Sequence, residues 1–209
     1  MKRAALGIRM HSGWGVLVAV SGDANSLELM DRRRIITADP AMARAQQPYH
    51  YAASLELPEA EQYLAACAAA SITLASAAVG DLIRRLEGRQ YRVAGAAILL
   101  ASGRALPSLA QILAAHPLIH TAEGEFFRNA VRKACEDFGI PVTAIKEREM
   151  DERAGAVFGS AVSGVRHTIA TLANTLGPPW TKDHKTAALA AAMVLAGNAA
   201  CKTAKASLR

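Results

Sequence analysis

The sequence predicts an α/β fold that opens on three antiparallel strands and closes on helices, and three observations carry this expectation. Apolar and β-branched residues alternate near the N-terminus between turn-forming tripeptides; a continuous apolar run lies mid-chain; and 46 alanines against 5% aromatic residues imply a core of closely packed helices. With 209 residues, 52% apolar and 20% charged, the chain suits one domain spanning 1–209, and a disordered polymer is excluded.

Residues 4–10 and 14–20 are apolar or β-branched and flank His11-Ser12-Gly13, which predicts a hairpin. After the turn residues 22–26, the segment 27–37 alternates well enough for a third strand that carries Arg32, Arg33 and Arg34. Residues 39–58 hold three prolines, Pro40, Pro48 and Pro58, and the phrase Gln46-Gln47-Pro48-Tyr49-His50, and are expected to form a long irregular connection. A helix is predicted from Glu59 to about Leu86, with Gly80 a weak spot and Gly88 a stop. The run 93–101, bounded by Ser102-Gly103, suits a central strand buried on both faces. A short helix over 107–115 and a longer one over 121–138 follow, the second opening with Glu123 and Glu125, which complement a helix N-terminus. Gly139-Ile140-Pro141 ends it and 142–146 is the last strand. Residues 154–176, interrupted by glycines, and 181–196 are the terminal helices, divided by Gly177-Pro178-Pro179-Trp180.

Cys67, Cys135 and Cys201 lie far apart with no C-x-x-C pair, so neither a disulfide framework nor a structural zinc site is expected, and a reducing cytoplasm is the simplest setting. The apolar runs 64–79 and 187–200 are short, Ala-rich and interrupted by polar residues, so no membrane partner is expected. The net charge of +6 and pI near 9.5 allow an anionic partner, but the basic residues are scattered. Neither a P-loop nor a G-x-G-x-x-G occurs.

The order of elements resembles the ribonuclease H-like fold, a mixed sheet with an antiparallel three-strand start followed by βαβ units. Gly7-Ile8-Arg9-Met10-His11-Ser12-Gly13-Trp14-Gly15-Val16 is similar to the first hairpin of RuvC-type Holliday-junction nucleases, in which Gly-Ile-Asp precedes a turn and Gly-aromatic-Gly-Val. Residues 178–190, with two prolines, Asp183 and an Ala-Leu-Ala run, resemble the final helix of that family, and Gly139-Ile140-Pro141-Val142 matches its helix-to-strand crossing. The dense polar phrases also resemble those of bacterial proteins of unassigned activity, a resemblance that implies no reaction.

The resemblance implies two magnesium ions held by an aspartate on the first strand, a glutamate on the central strand and aspartates on the last helix. Here the first-strand position is Arg9, the central run Ala96-Ala97-Ile98-Leu99-Leu100 has no acid, and Asp183 alone stands near a family position. An arginine about 4 Å from a divalent ion costs about 8 kcal/mol at an effective dielectric of about 20. No two-metal catalysis is therefore expected.

Arg9, His11, Glu123, Glu125, Arg128, Asp183 and Lys185 are the candidate ligand-binding residues, drawn from polar phrases that the resemblance brings to the strand ends. Arg9, His11 and Lys185 are expected to make a cationic pocket for a phosphate or carboxylate, with Arg9 paired to one of the nearby carboxylates. Such a chain would be a binding or interaction protein, with nucleic acid or a phosphorylated ligand as partner and no cofactor. The alternative is a Mg- or Mn-dependent nuclease or hydrolase with a relocated set of Glu123, Glu125, Asp183 and His11. A third reading, an oligomerisation module, draws on the Ala-rich helix 59–86. Each residue also has an ordinary role open to it: Glu125 and Arg128 are spaced for an i,i+3 pair, and Arg32 to Arg34 suit a solvated strand edge. His116 and His120 are four apart, as helical metal ligands are, but Pro117 disfavours a helical His116 and no third ligand is fixed by spacing, so capping or packed histidines are expected.

Overall fold

In the computed structural model, which describes residues 1–101, 105–172, 174 and 177–206, a five-stranded mixed sheet separates two layers of helix. The strands are β1 (Lys2–His11), β2 (Trp14–Ser21), β3 (Glu28–Ile36), β4 (Tyr91–Leu100) and β5 (Val142–Lys146), in the order β3-β2-β1-β4-β5. The first three pair antiparallel, and β1, β4 and β5 pair parallel, which is the expected architecture. Gly13 makes the first turn possible with φ of +77°, and its carbonyl accepts the N–H groups of Thr37 and Ala38.

The helices are α1 (Pro48–Ala52), α2 (Leu57–Gly88), α3 (Leu109–Leu113), α4 (His116–Asp137), α5 (Met150–Phe158), α6 (Val162–Thr171) and α7 (Lys182–Ala206). Strand alternation divides the core. Leu6, Ile8, Met10, Leu17 and Ile98 pack with Phe127 and Val131 of α4 and Val79 and Leu82 of α2. Ala5, Val16, Val18, Val20 and Leu99 face the alanines of α7 and residues of α5 and α6. By length and composition α2 is apolar enough to cross a membrane, but its buried residues Ala60, Leu64, Cys67, Ser71, Ala75, Val79, Leu82 and Leu86 recur every three or four positions, as in a helix with one stripe in a core.

Gly7 and α7 approach backbone to backbone. A methyl group added to Gly7 would lie 1.8 Å from the carbonyl oxygen of Ala187. Small side chains on both elements let the helix backbone rest on β1, and this contact positions the start of α7.

Several boundaries differ from expectation. The segment 39–58 is not wholly irregular: Pro48 supplies an N-terminal φ already suited to a helix, and α1 forms there. Gly80 does not break α2; its small size admits the ring of Phe138, whose nearest atom would lie 2.8 Å from an added methyl. Pro117 does not keep His116 out of a helix, because His116 and Pro117 fall at the first turn of α4, where a missing N–H costs nothing. The predicted helix 154–176 is two, α5 and α6, parted where Gly159 takes a φ of +54°. Its predicted end at 175–176 and the boundary Ser102-Gly103 lie outside the described residues.

Candidate functional site

Two strand residues and one helical turn set the geometry of the site. From the Gly7–Ala187 contact, Arg9 is two residues further along the same face of β1, about 6.6 Å, and Asp183 is one turn earlier on α7, about 6 Å. The two side chains therefore meet above the end of the sheet. Arg9 Nη1 donates to Asp183 Oδ1, while Nε and Nη2 donate to Oε1 and Oε2 of Glu147, each at 3.0 Å. Glu147 follows the last residue of β5, so a first-strand arginine is clamped between a last-strand and a last-helix carboxylate. The fork of the guanidinium matches the Glu147 carboxylate with two parallel bonds.

His11 completes the cluster. Its Nε2 lies 2.9 Å from Asp183 Oδ2, and its ring stacks on Trp14 with centroids 4.3 Å apart and planes 15° from parallel. Arg34 lies over the Trp14 ring at 4.1 Å. Partial burial raises the Asp183 carboxyl, but the hydrogen bond to His11 and the charges of Arg9 and His11 outweigh it and hold it below the ordinary carboxylate range. The bond to Glu147 is the main reason Arg9 is held even more firmly protonated than usual, against the opposing effect of burial. His11 makes no hydrogen bond to Ser12 among the described residues, so a base and nucleophile pair is not formed there.

A cleft of about 380 Å³ adjoins the cluster, lined by Glu147, Asp151, Arg166, Lys182, Lys185 and apolar residues of α5, α6 and α7. Arg166 pairs with Asp151, whereas neither Lys182 nor Lys185 has an ion-pair partner among the described residues.

Of the predicted residues, Arg9, His11 and Asp183 meet in one cluster and Lys185 lines the adjoining cleft. Glu123 does not join them. It is buried on α4 and bonds His50, whose Nδ1 lies 2.8 Å from Oε1. Glu125 accepts from Arg128 at 3.1 Å and lies 3.6 Å from Arg132, so that pair has the ordinary helical role. The relocated ligand set Glu123, Glu125, Asp183 and His11 is therefore not assembled: its carboxylates have separate cationic or imidazole partners. Glu147 was missed, although an acid just past the end of a parallel strand stands where such sheets present functional groups. The arginine run is not a bare edge either: Arg32 donates to the carbonyl of Pro178 at 2.9 Å, Arg33 to Asp81 at 2.7 Å, and Arg34 covers Trp14.

This architecture is a ribonuclease H-like fold. Two solved structures of Thermus thermophilus RuvC are similar to it, each with a TM-score of 0.53. One, in complex with Holliday junction substrate, is 15% identical over 96% of this chain and 97% of its own; the other is 12% identical over 94% and 96%. No protein-family model and no curated protein sequence matches the chain.

Proposed function

We propose that this chain is a binding protein of the ribonuclease H-like fold that takes the phosphate backbone of nucleic acid in the cleft beside Arg9, without two-metal catalysis. The observation that carries this reading is the pairing of Arg9 with both Glu147 and Asp183. The guanidinium neutralises the two carboxylates from inside the protein, the task that a bound cation performs in an acidic nuclease site. A divalent ion entering the cluster would meet this fixed charge at a cost of about 8 kcal/mol at 4 Å. No aspartate or glutamate lies on β4 to add to the set.

Lys182 and Lys185 support an anionic partner, because they leave the cleft with cations that the cluster does not consume. Phosphate contacts from lysine give affinity without sequence specificity. The fold likeness to RuvC, one structure of which holds a Holliday junction, favours nucleic acid over a small phosphorylated ligand as the first partner to test.

The test is fluorescence anisotropy with a four-way junction and a linear duplex, in EDTA and again in magnesium, with a parallel cleavage assay in magnesium and manganese. The expected result is binding in EDTA that falls at least tenfold in a Lys182→Ala/Lys185→Ala variant, with no cleavage. Metal-dependent cleavage abolished by Asp183→Asn, or no binding to either substrate, would overturn the proposal.

A further inference from the structure

We propose that His50, His116 and His120 form a binding site for a divalent transition-metal ion of the zinc type, held in place by the buried carboxylate of Glu123. One ring nitrogen from each histidine lies within 4.8 Å of the others. The three come from two segments that sequence spacing does not connect. His116 and His120 occupy successive turns on one face of α4, and α1, whose Pro48 and Ala52 are buried, carries His50 against them. The ring centroid of His50 lies 5.3 Å from that of His116 and 4.7 Å from that of His120.

Glu123 is the observation that distinguishes this cluster from a chance meeting of surface histidines. It is 2% exposed, and among the described residues its hydrogen bonds go to His50 alone, from the backbone N–H at 3.3 Å and with Nδ1 at 2.8 Å. A buried carboxylate that accepts from Nδ1–H fixes the tautomer of the ring and leaves the lone pair on Nε2 free to bind a metal. Carboxylate, histidine and metal in that order is the usual support for an imidazole ligand. Glu123 is one turn beyond His120, so α4 supplies two ligands and the group that orients the third.

The nitrogens are close to what a small ion needs. His116 Nε2 and His120 Nε2 are 3.0 Å apart. Tetrahedral coordination at about 2.05 Å places ligand nitrogens about 3.3 Å apart, so a few tenths of an ångström of movement there and a small rotation of His50 admit the ion. Three neutral imidazoles suit zinc, copper or nickel better than magnesium, which prefers oxygen ligands. His116 and His120 are exposed, which leaves a fourth position open to water or to an exogenous ligand. This site is built on the α2/α4 side of the sheet, whereas Arg9 and Asp183 face α7, so the two proposals stand or fall separately.

The full chain, with any affinity tag removed and metal stripped with EDTA followed by desalting, would be titrated with zinc by calorimetry and with cobalt(II) by visible spectroscopy. One ion per chain is expected, with the cobalt spectrum of four-coordinate nitrogen and oxygen ligation and no sulfur charge-transfer band. His120→Ala and His116→Ala, at exposed positions that keep the fold by circular dichroism, should each weaken binding at least a hundredfold. Glu123→Gln should weaken it 10- to 100-fold, because a neutral amide, which can donate as well as accept, no longer enforces one tautomer or supplies the negative charge behind the ring. An absence of saturable zinc binding, a thiolate band, or binding unchanged in His120→Ala would overturn the proposal.

Discussion

Gly7 and Ala187 touch backbone to backbone, and this contact decides whether Arg9 can reach Asp183. A methyl group at residue 7 would sit 1.8 Å from the Ala187 carbonyl oxygen and 2.6 Å from its carbon, which are rigid backbone atoms in a helix. Gly7→Ala must therefore push α7 off the sheet. Overpacking of this kind costs about 2–3 kcal/mol, and urea denaturation of the variant should show it. The same variant should lose the effect of Arg9 on Asp183, since the displaced helix carries the carboxylate away.

Arg9→Ala tests the clamp itself. The substitution leaves Glu147 and Asp183 half-buried with no guanidinium between them. Breaking a fully buried pair costs about 3–5 kcal/mol, but Asp183 keeps 20% and Glu147 37% of its side-chain surface in water, so a loss of about 2 kcal/mol is expected. The freed carboxylates then gain affinity for a cation: millimolar manganese should raise the melting temperature of Arg9→Ala and leave that of the wild type unchanged. Equal shifts in both proteins would show that the two acids bind metal despite Arg9.

The strands were legible because each obeys a local rule: alternation at Leu6, Ile8, Val16 and Val18, the turn at Gly13, and the continuous apolar run that holds Ile98, Leu99 and Leu100. The meeting of Arg9, His11 and Asp183 was legible only through the resemblance, which places the first strand and the last helix side by side. Glu147 sits between Lys146 and Arg148 in a short charged phrase, and nothing local separates it from an ordinary surface residue. His50 belongs to a five-residue helix, too short for periodicity to reveal. Its pairing with Glu123 spans 73 residues, a tertiary relationship that no spacing rule anticipates.

His184 makes stability pH-dependent on the acid side of neutrality. Thr181 immediately precedes α7, its carbonyl accepting the N–H of Lys185, and His184 Nδ1 accepts from the Thr181 N–H at 3.2 Å and lies 2.8 Å from its hydroxyl. The imidazole plays the part that glutamate plays in a capping box. That role needs a bare nitrogen, hence a neutral ring. Burial, aided by the charge of Arg32 and opposed by Asp183, lowers the His184 pKa below its usual 6.5. Folding thus favours the unprotonated form, so its contribution is whole above pH 6.5 and is lost as pH falls through the lowered value. Asp183, also lowered, is lost further down, below the ordinary carboxylate value of 3.8. Urea midpoints measured from pH 7.5 to 4.5 should fall more steeply for the wild type than for His184→Gln, whose side chain keeps its acceptor at every pH.

Lys182 and Lys185 should show opposite effects on stability and binding. Both lie in the first turns of α7, where the helix dipole already presents partial positive charge and a lysine is unfavourable. Replacing both by alanine should therefore raise stability, by about 0.5 kcal/mol at low salt. If the same lysines contact phosphates, the replacement removes two counterion-releasing contacts, and the slope of log affinity against log salt concentration for duplex DNA should shrink by about 1.8. A structural pair would lose stability with binding, and a merely solvated pair would leave the salt slope unchanged. Denaturation and salt-dependent anisotropy on the one double variant separate these outcomes, and the expected result is a more stable protein that holds nucleic acid less tightly and with a weaker dependence on salt.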